Sequence, residues 1–393
     1  MVEWHSHPPD SKPVHVEPLA YLFMIREGPT YSAGDLSPEC EVLSRRFAGE
    51  FWSYGSYEAD TQIGRFRLRV VKDSGNFRLW NFLRFARRVM HRAAELQKRP
   101  MQRTVVSSYD PFKGGFLALQ VARRLNAAFV CEVNGVYGSP DNFAQLKLRI
   151  WRKLRLLQMR LLGGFVLRRA DAVRLLFTQQ LQDFVSLPST TIVRHFFALT
   201  YIERFKPGPE EPMILSAGFP FRRKGVDVLV QAFLPLASRY PDWTLVLIGH
   251  LIPDELRARG VGHAQIRALP GLPQPELAKW ISRCAILALA SRSEAMGRVL
   301  LESAAAAKCR VATRVDGIPT VIDDGVDGIL VEKNNIEELR AALVRLMDDQ
   351  DLRKRLGTAG QRRVAEQFSP EAYLELYSEL IVTACERKYP AIQ

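Results

Sequence analysis

S-R-S-E-A-M-G-R-V-L-L-E-S, residues 291–303, decides how this chain is read. Directly before it, residues 284–290 read C-A-I-L-A-L-A, an apolar run of strand length. The glycine and the residues after it read as a helix start. Glu294 is therefore expected in a strand-to-helix turn and Glu302 inside the helix. In open α/β sheets, ligands bind at the carboxyl ends of strands, beside helix N-termini. The N–H groups of Gly297, Arg298 and Val299 would there face an anion, with the helix dipole behind them. A phosphate at that point, with a carboxylate on each side to hold hydroxyls, fits a sugar nucleotide.

Outward from this stretch, strand-like and helix-like segments alternate, which implies parallel sheets covered by helices. In the first half the pattern predicts strands at 19–25, 50–54, 66–71, 104–107, 128–133, 172–177 and 191–193. It predicts helices at 77–98, 115–125 and 146–167. Residues 206–212, K-P-G-P-E-E-P, break the pattern, and three prolines in seven residues suit an interdomain linker. A second alternation follows, with strands at 213–217, 244–248, 286–290, 310–312 and 328–331. Its helices are expected at 226–239, 275–282, 299–307, 336–347 and 351–366. A last helix is expected at 370–387, with Ser369 as N-cap and Pro370 in the first helical position.

Two further segments stand in order around the opening stretch. Residues 214–233 read I-L-S-A-G-F-P-F-R-R-K-G-V-D-V-L-V-Q-A-F, and residues 316–331 read D-G-I-P-T-V-I-D-D-G-V-D-G-I-L-V. With the pair of glutamates separated by seven residues, these motifs resemble the retaining glycosyltransferases of family 4, the glycosyl transferases group 1. The likeness covers roughly residues 213–367. It implies an α/β chain of GT-B architecture: two Rossmann-like domains facing a cleft, with a C-terminal helix crossing back to the first domain. The divisions expected are a flexible lead-in at 1–18, an acceptor domain at 19–206, a linker at 207–212, a donor domain at 213–368 and the crossover helix at 369–393.

The resemblance also implies roles. Sugar transfer from a nucleoside diphosphate needs stabilised negative charge on the departing phosphate. The sequence shows no Asp-x-Asp beside a His, so no metal and no cofactor are expected. Fixed cations and backbone N–H groups would do that work. Lys224 matches the family's phosphate-contacting Lys before Gly, with Arg222 and Arg223 beside it and Gly218 at the preceding strand end. A solvated basic run is the plain alternative for that triplet. The family usually has an Arg after the strand-end glycine, where this chain has Phe219, so Arg222 or Arg223 is expected to reach back and supply the charge. Glu302 matches the glutamate that accepts hydrogen bonds from the nucleotide ribose, a role that suits an acceptor-only carboxylate. Glu294 matches the glutamate near the transferred sugar. Met296, in E-A-M-G where the family commonly has E-G-F-G, alters the wall of the sugar pocket.

Lys224 and Glu294 are thus the catalytic candidates. Glu302, Arg222, Arg223, Gly218, Met296, Gly297, Arg298 and Val299 are the donor-binding ones. The family's G-G-x-P-E pattern reads D-G-I-P-T at 316–320, and its Gly-Asp-Gly turn reads G-H-L at 249–251. His250 is read as a loop residue, not a catalyst. On the acceptor side the candidates are Gly34, in G-P-T-Y-S-A-G at 28–34, and Asn134 in the loop after strand 128–133. Family members often place a His in that second loop, and an Asn cannot replace it as a base.

Composition frames these expectations. A length of 393 residues allows two domains. No apolar run approaches the roughly 18 residues of a membrane span. The first 18 residues are polar and lack the apolar centre of a secretory signal. Five scattered cysteines without a C-x-x-C argue for reduced thiols in a cytoplasmic protein and against a zinc site. The net charge of +13 favours nucleotides, nucleic acid or an anionic membrane as partners. Residues 146–169 hold eight Lys and Arg and no acid, with Ile150, Trp151, Leu154, Leu157 and Leu161 on one side. Such a helix can lie on an anionic membrane, or pack in the core with a solvated basic face.

The expectation is a retaining, metal-independent glycosyltransferase. It would move a hexose-type sugar from a UDP- or GDP-linked donor to a saccharide or lipid-linked saccharide in cell-surface polysaccharide assembly. It would work in the cytoplasm, peripherally on the inner face of the cell membrane. A sugar-nucleotide epimerase or a phosphorylase on a similar fold is the enzymatic alternative. A basic nucleic-acid-binding protein is the other; the chain has no motif for single strands and no helix-turn-helix signature, so no nucleic acid is expected.

Overall fold

The short apolar runs form strands paired in two sheets, the central ones buried on both faces. The computed structural model describes them within residues 18–26, 33–73, 78–99, 103–138, 149–184, 186–249 and 263–390. The first sheet holds β1 (Tyr21–Arg26), β2 (Ala48–Gly55), β3 (Ala59–Ile63), β4 (Phe66–Lys72), β5 (Thr104–Ser108), β6 (Ala128–Val133), β7 (Ala172–Leu175) and β8 (Ile192–His195). Their order is β3-β4-β2-β1-β5-β6-β7-β8, parallel except for the β3–β4 pair. The second sheet holds β9 (Glu211–Ala217), β10 (Thr244–Ile248), β11 (Ile266–Leu269), β12 (Cys284–Leu289), β13 (Cys309–Thr313) and β14 (Ile329–Val331). Its order is β11-β10-β9-β12-β13-β14, all parallel. Strand order reverses beside β1 in one sheet and beside β9 in the other, which opens a crevice at each carboxyl edge.

Helices α1 (Ala33–Ser44), α2 (Arg78–Leu96), α3 (Lys113–Leu125) and α4 (Arg149–Leu167) cover the first sheet. Phe85 and Val89 of α2, Leu117 and Val121 of α3, and Val166 of α4 share one core on one face. Leu36, Cys40 and Leu43 of α1 join another core, which continues into the second half of the chain. The second sheet carries α5 (Val226–Phe233), α6 (Gln274–Arg283), α7 (Arg298–Ala305), α8 (Ile336–Asp348) and α9 (Gln350–Gln367). Asn335 caps α8 and Asp349 caps α9, each side chain accepting an N–H from the first turn.

The last helix, α10 (Pro370–Lys388), opens on Ser369, whose Oγ accepts the Ala372 N–H at 3.1 Å. It packs on α1, β5, β6, β7 and β8 of the first sheet. Tyr377 Oη lies 3.3 Å from Glu132 Oε1 on β6, and Tyr389 Oη donates to the Thr104 carbonyl at 3.2 Å.

Several expectations need correction. Helix α1 was not anticipated, because Pro38 interrupts its pattern. Neither were β3 and β11, which are short edge strands without apolar alternation. The helix expected over 226–239 stops at Phe233, and Pro235 turns the chain into a 3₁₀ segment, Leu234–Leu236. Strand β9 begins at Glu211, inside the stretch read as a linker. The lead-in at 1–17, His250, and residues 28–32 of the glycine-bearing loop lie outside the described residues.

Candidate active site

Strands β9 and β12 are neighbours in register, Ile214 opposite Ile286, so the loops that leave their carboxyl ends emerge side by side. The first loop, 218–225, ends at Gly225 with φ 62°. A Cβ there would sit 1.8 Å from the Ala290 carbonyl oxygen, so only glycine allows this contact between the loops. The contact places Lys224 against the second loop. Its Nζ forms an ion pair with Glu294 Oε2, and both residues are buried.

Two contacts from 316–317 hold the Glu294 turn. The Glu294 N–H donates to Asp316 Oδ2 at 2.9 Å, and its carbonyl accepts the Gly317 N–H at 3.2 Å. Gly297 then adopts φ 74°, and this left-handed residue starts α7 directly beside the turn. One turn into α7, Glu302 is only 7% exposed. Burial pushes its carboxyl above the ordinary range, against the opposing pull of Arg298, a hydrogen bond with Gln274, and Lys224.

These groups line one cleft of about 410 Å³. From the second half it takes Gly218, Arg223, Lys224, Glu294, Met296, Gly297, Arg298, Val299 and Glu302. From the first half it takes Tyr109, Asn134, Gly135 and Leu176. Arg223 reaches back to the position where the family usually has arginine: its Nη2 donates to the Phe219 carbonyl at 3.2 Å. Its Nε is buried without a hydrogen-bond partner. Arg222 is exposed and does not line the cleft; its carbonyl accepts from Arg292 at 2.6 Å. Gly34 lies in the first turn of α1.

Asn134 is held by a buried charge cluster under the first sheet's carboxyl edge. Glu132 pairs with Arg26 and Arg174, and Arg174 also donates to Asn134 Oδ1. Asn134 Nδ2 in turn donates to the Tyr109 carbonyl at 2.9 Å. Burial alone would raise the Glu132 carboxyl, but Arg26 and Arg174, with hydrogen bonds from Arg174 and Ser107, hold it at about 2. Tyr109, whose ring lies 4.8 Å from the Arg26 guanidinium, was missed as a site residue. Its signal was the S-Y-D-P turn that closes β5. Asp316 and Gln274 were missed as well, because they act on Glu294 and Glu302 from distant loops.

A second groove, about 490 Å³, runs between α2 and the β3–β4 edge. Its Arg88 pairs with Glu58 and its Arg92 with Glu50, and none of the candidate residues lies in it. The cleft at the carboxyl edges, where the loops converge, is the candidate site. Among the described residues, no three His, Cys, Asp or Glu side chains are grouped to hold a metal ion.

Residues 200–363 match the family model described as glycosyl transferases group 1. The matched stretch holds all of β9 to β14 and the loops that carry Lys224 and Glu294, so the likeness lies in the second half of the chain. A D-inositol 3-phosphate glycosyltransferase of Corynebacterium jeikeium is 29% identical over 246 residues, covering 55% of this chain and 59% of the relative. The chain spans about half the length of the curated relatives it matches. Sucrose-phosphate synthase from Thermosynechococcus elongatus superposes with a TM-score of 0.73 at 18% identity, over 92% of this chain and 98% of that one. Anabaena HepE, solved in complex with UDP-glucose, superposes with a TM-score of 0.68 at 15% identity, over 91% and 98%. The fold is therefore GT-B, and Lys224, Glu294 and Glu302 all lie within the stretch that matches the family model.

Proposed function

We propose that the protein is a retaining, metal-independent glycosyltransferase that takes a hexose from a nucleoside-diphospho sugar, UDP- or GDP-linked. The observation that carries the reading is the pairing of cations and carboxylates in one cleft. Lys224 and Arg223 line the cleft together with Gly297, Arg298 and Val299 at the start of α7. In this reading Glu302 would accept the ribose hydroxyls, and Glu294 would face the transferred sugar. As the bond from the anomeric carbon to the diphosphate oxygen breaks, negative charge grows on the leaving phosphate. Fixed positive groups aimed at that charge stabilise it more than they stabilise the bound donor. The acceptor hydroxyl would approach past Tyr109 and Asn134.

A saccharide or lipid-linked saccharide acceptor, a role in cell-surface polysaccharide assembly, and work at the cytoplasmic face of a membrane complete the proposal. They are supported by the exposed basic helix α4. No helix of the described residues is long and apolar enough to cross a membrane.

The test is a thermal-shift panel of UDP, GDP, ADP, CDP and pyrophosphate on the native chain and Glu302→Ala. A ligand at about 100 times its Kd should stabilise by about 2.7 kcal/mol. One nucleotide should stand out and lose its shift in the variant. If no nucleotide exceeds pyrophosphate, the basic loops bind anions generically and the transferase reading fails.

A further inference from the structure

The charge and the exposed apolar surface of this molecule coincide on one layer. Helices α2, α3 and α4 carry thirteen Lys and Arg and a single carboxylate, Glu95. With 55 basic and 42 acidic residues in all, the remaining 42 and 41 nearly cancel. The net charge of +13 is thus almost wholly the charge of three helices. Among the described residues, thirteen large apolar side chains are exposed, and ten of them sit on the same three helices.

Along α4, Ile150, Leu154, Leu157, Leu161 and Phe165 recur every three or four residues and are 38–64% exposed. Leu156, Met159 and Leu162 on the opposite side face the body of the protein. The apolar stripe therefore points into solvent, with Lys153 and Arg160 along its margin. Trp151 on α4 and Leu79, Trp80 and Leu83 on α2 are 48–69% exposed. The helices lie side by side: Phe116 of α3 meets Phe165 of α4 with ring centroids 6.2 Å apart, and Lys113 of α3 lies 5.6 Å from the Phe82 ring of α2.

We infer that this three-helix layer is a docking surface for an anionic lipid bilayer. A nucleic acid would match the arginines but would leave the leucine stripe and two tryptophans in water. A lipid interface accepts both, apolar side chains among the acyl chains and cations at the headgroups. The layer adjoins the cleft. Tyr137 and Gly138 border a small cavity with Leu156, Met159 and Arg160 of α4, while Asn134 and Gly135 of the same loop line the cleft. A docked molecule would hold the acceptor side of its cleft close to the bilayer, so a lipid-borne acceptor deepens the proposed transferase reading and rests on it. The docking itself does not.

The experiment is flotation with vesicles of phosphatidylcholine alone and with about a third phosphatidylglycerol, at low and high salt. The native chain should float with the anionic vesicles only, less so at high salt, with a blue shift of tryptophan emission. Leu154→Glu with Leu161→Glu should lower vesicle partitioning by about tenfold or more. Because both positions are exposed, thermal unfolding and the nucleotide-induced shift should stay native, so a misfolded variant is recognised. Glu302→Ala should bind vesicles normally, which separates this inference from the donor site. Equal flotation of native chain and double variant, no preference for anionic vesicles, or a native dimer that the double variant converts to monomer would each overturn it.

Discussion

Glu302 combines two demands that oppose each other: it is buried, and the proposed function asks it to accept hydroxyls as a carboxylate. Its folded-state pKa is raised, chiefly by desolvation. The stability it contributes is full below the ordinary carboxylate range and is lost as pH rises through its folded value. Glu302→Gln removes that loss. The unliganded variant should melt higher than the native chain near pH 7, and the two should converge in acid. Nucleotide affinity should fall by about tenfold to a hundredfold, because a charged acceptor is replaced by a neutral one. Calorimetric melting over pH with titration of the nucleotide checks both. A variant that melts lower at neutral pH would mean the carboxylate stabilises the empty fold. That Glu294, Glu302 and Lys224 meet in one cleft was legible in the sequence, because their motifs follow two strands at the same sheet edge. Arg222 and Arg223 were not separable, since only loop geometry sends one into the cleft. Nor could the spacing show that Asn134 is gripped by Arg174 from 40 residues away.

At the scale of elements, the central strands and later helices were legible because their periodicity is strong and their caps are local. Helix α1 was not: Gly, Ser and Pro38 are poor helix formers, and burial of Leu36, Cys40 and Leu43 holds it. Strand β3 is mostly exposed and exists through its pairing with β4. The cluster at Glu132 joins β1, β5, β6, β7 and α10, and none of those pairings is visible locally. Its carboxyl is held at about 2, so its contribution is present above the ordinary value of 4.5 and is lost as pH falls toward 2. Glu132→Gln would leave Arg174 buried beside a neutral group, a loss of about 3–5 kcal/mol. Chemical denaturation should show that loss at pH 7 and a shallower decline of stability in acid than in the native chain. A loss under about 1 kcal/mol would mean solvent reaches the pair.

Over the whole molecule, one core runs from Leu22 and Met24 of the first sheet through Leu287 and Leu300 of the second half to Tyr377 and Ile381 of α10. Two-sheet chains often unfold in steps. Here the shared core and the return of α10 predict a single transition, with tryptophan fluorescence and circular dichroism coincident in denaturant. Two separated midpoints would show that the halves are energetically independent. The concentration of charge on α2, α3 and α4 has a consequence before any contact is made. Such a distribution gives the molecule a large electric dipole, so a negatively charged surface exerts a torque on it from about a Debye length away. On the proposed docking, the protein would arrive already turned, and its search for a lipid-borne acceptor would run in two dimensions instead of three.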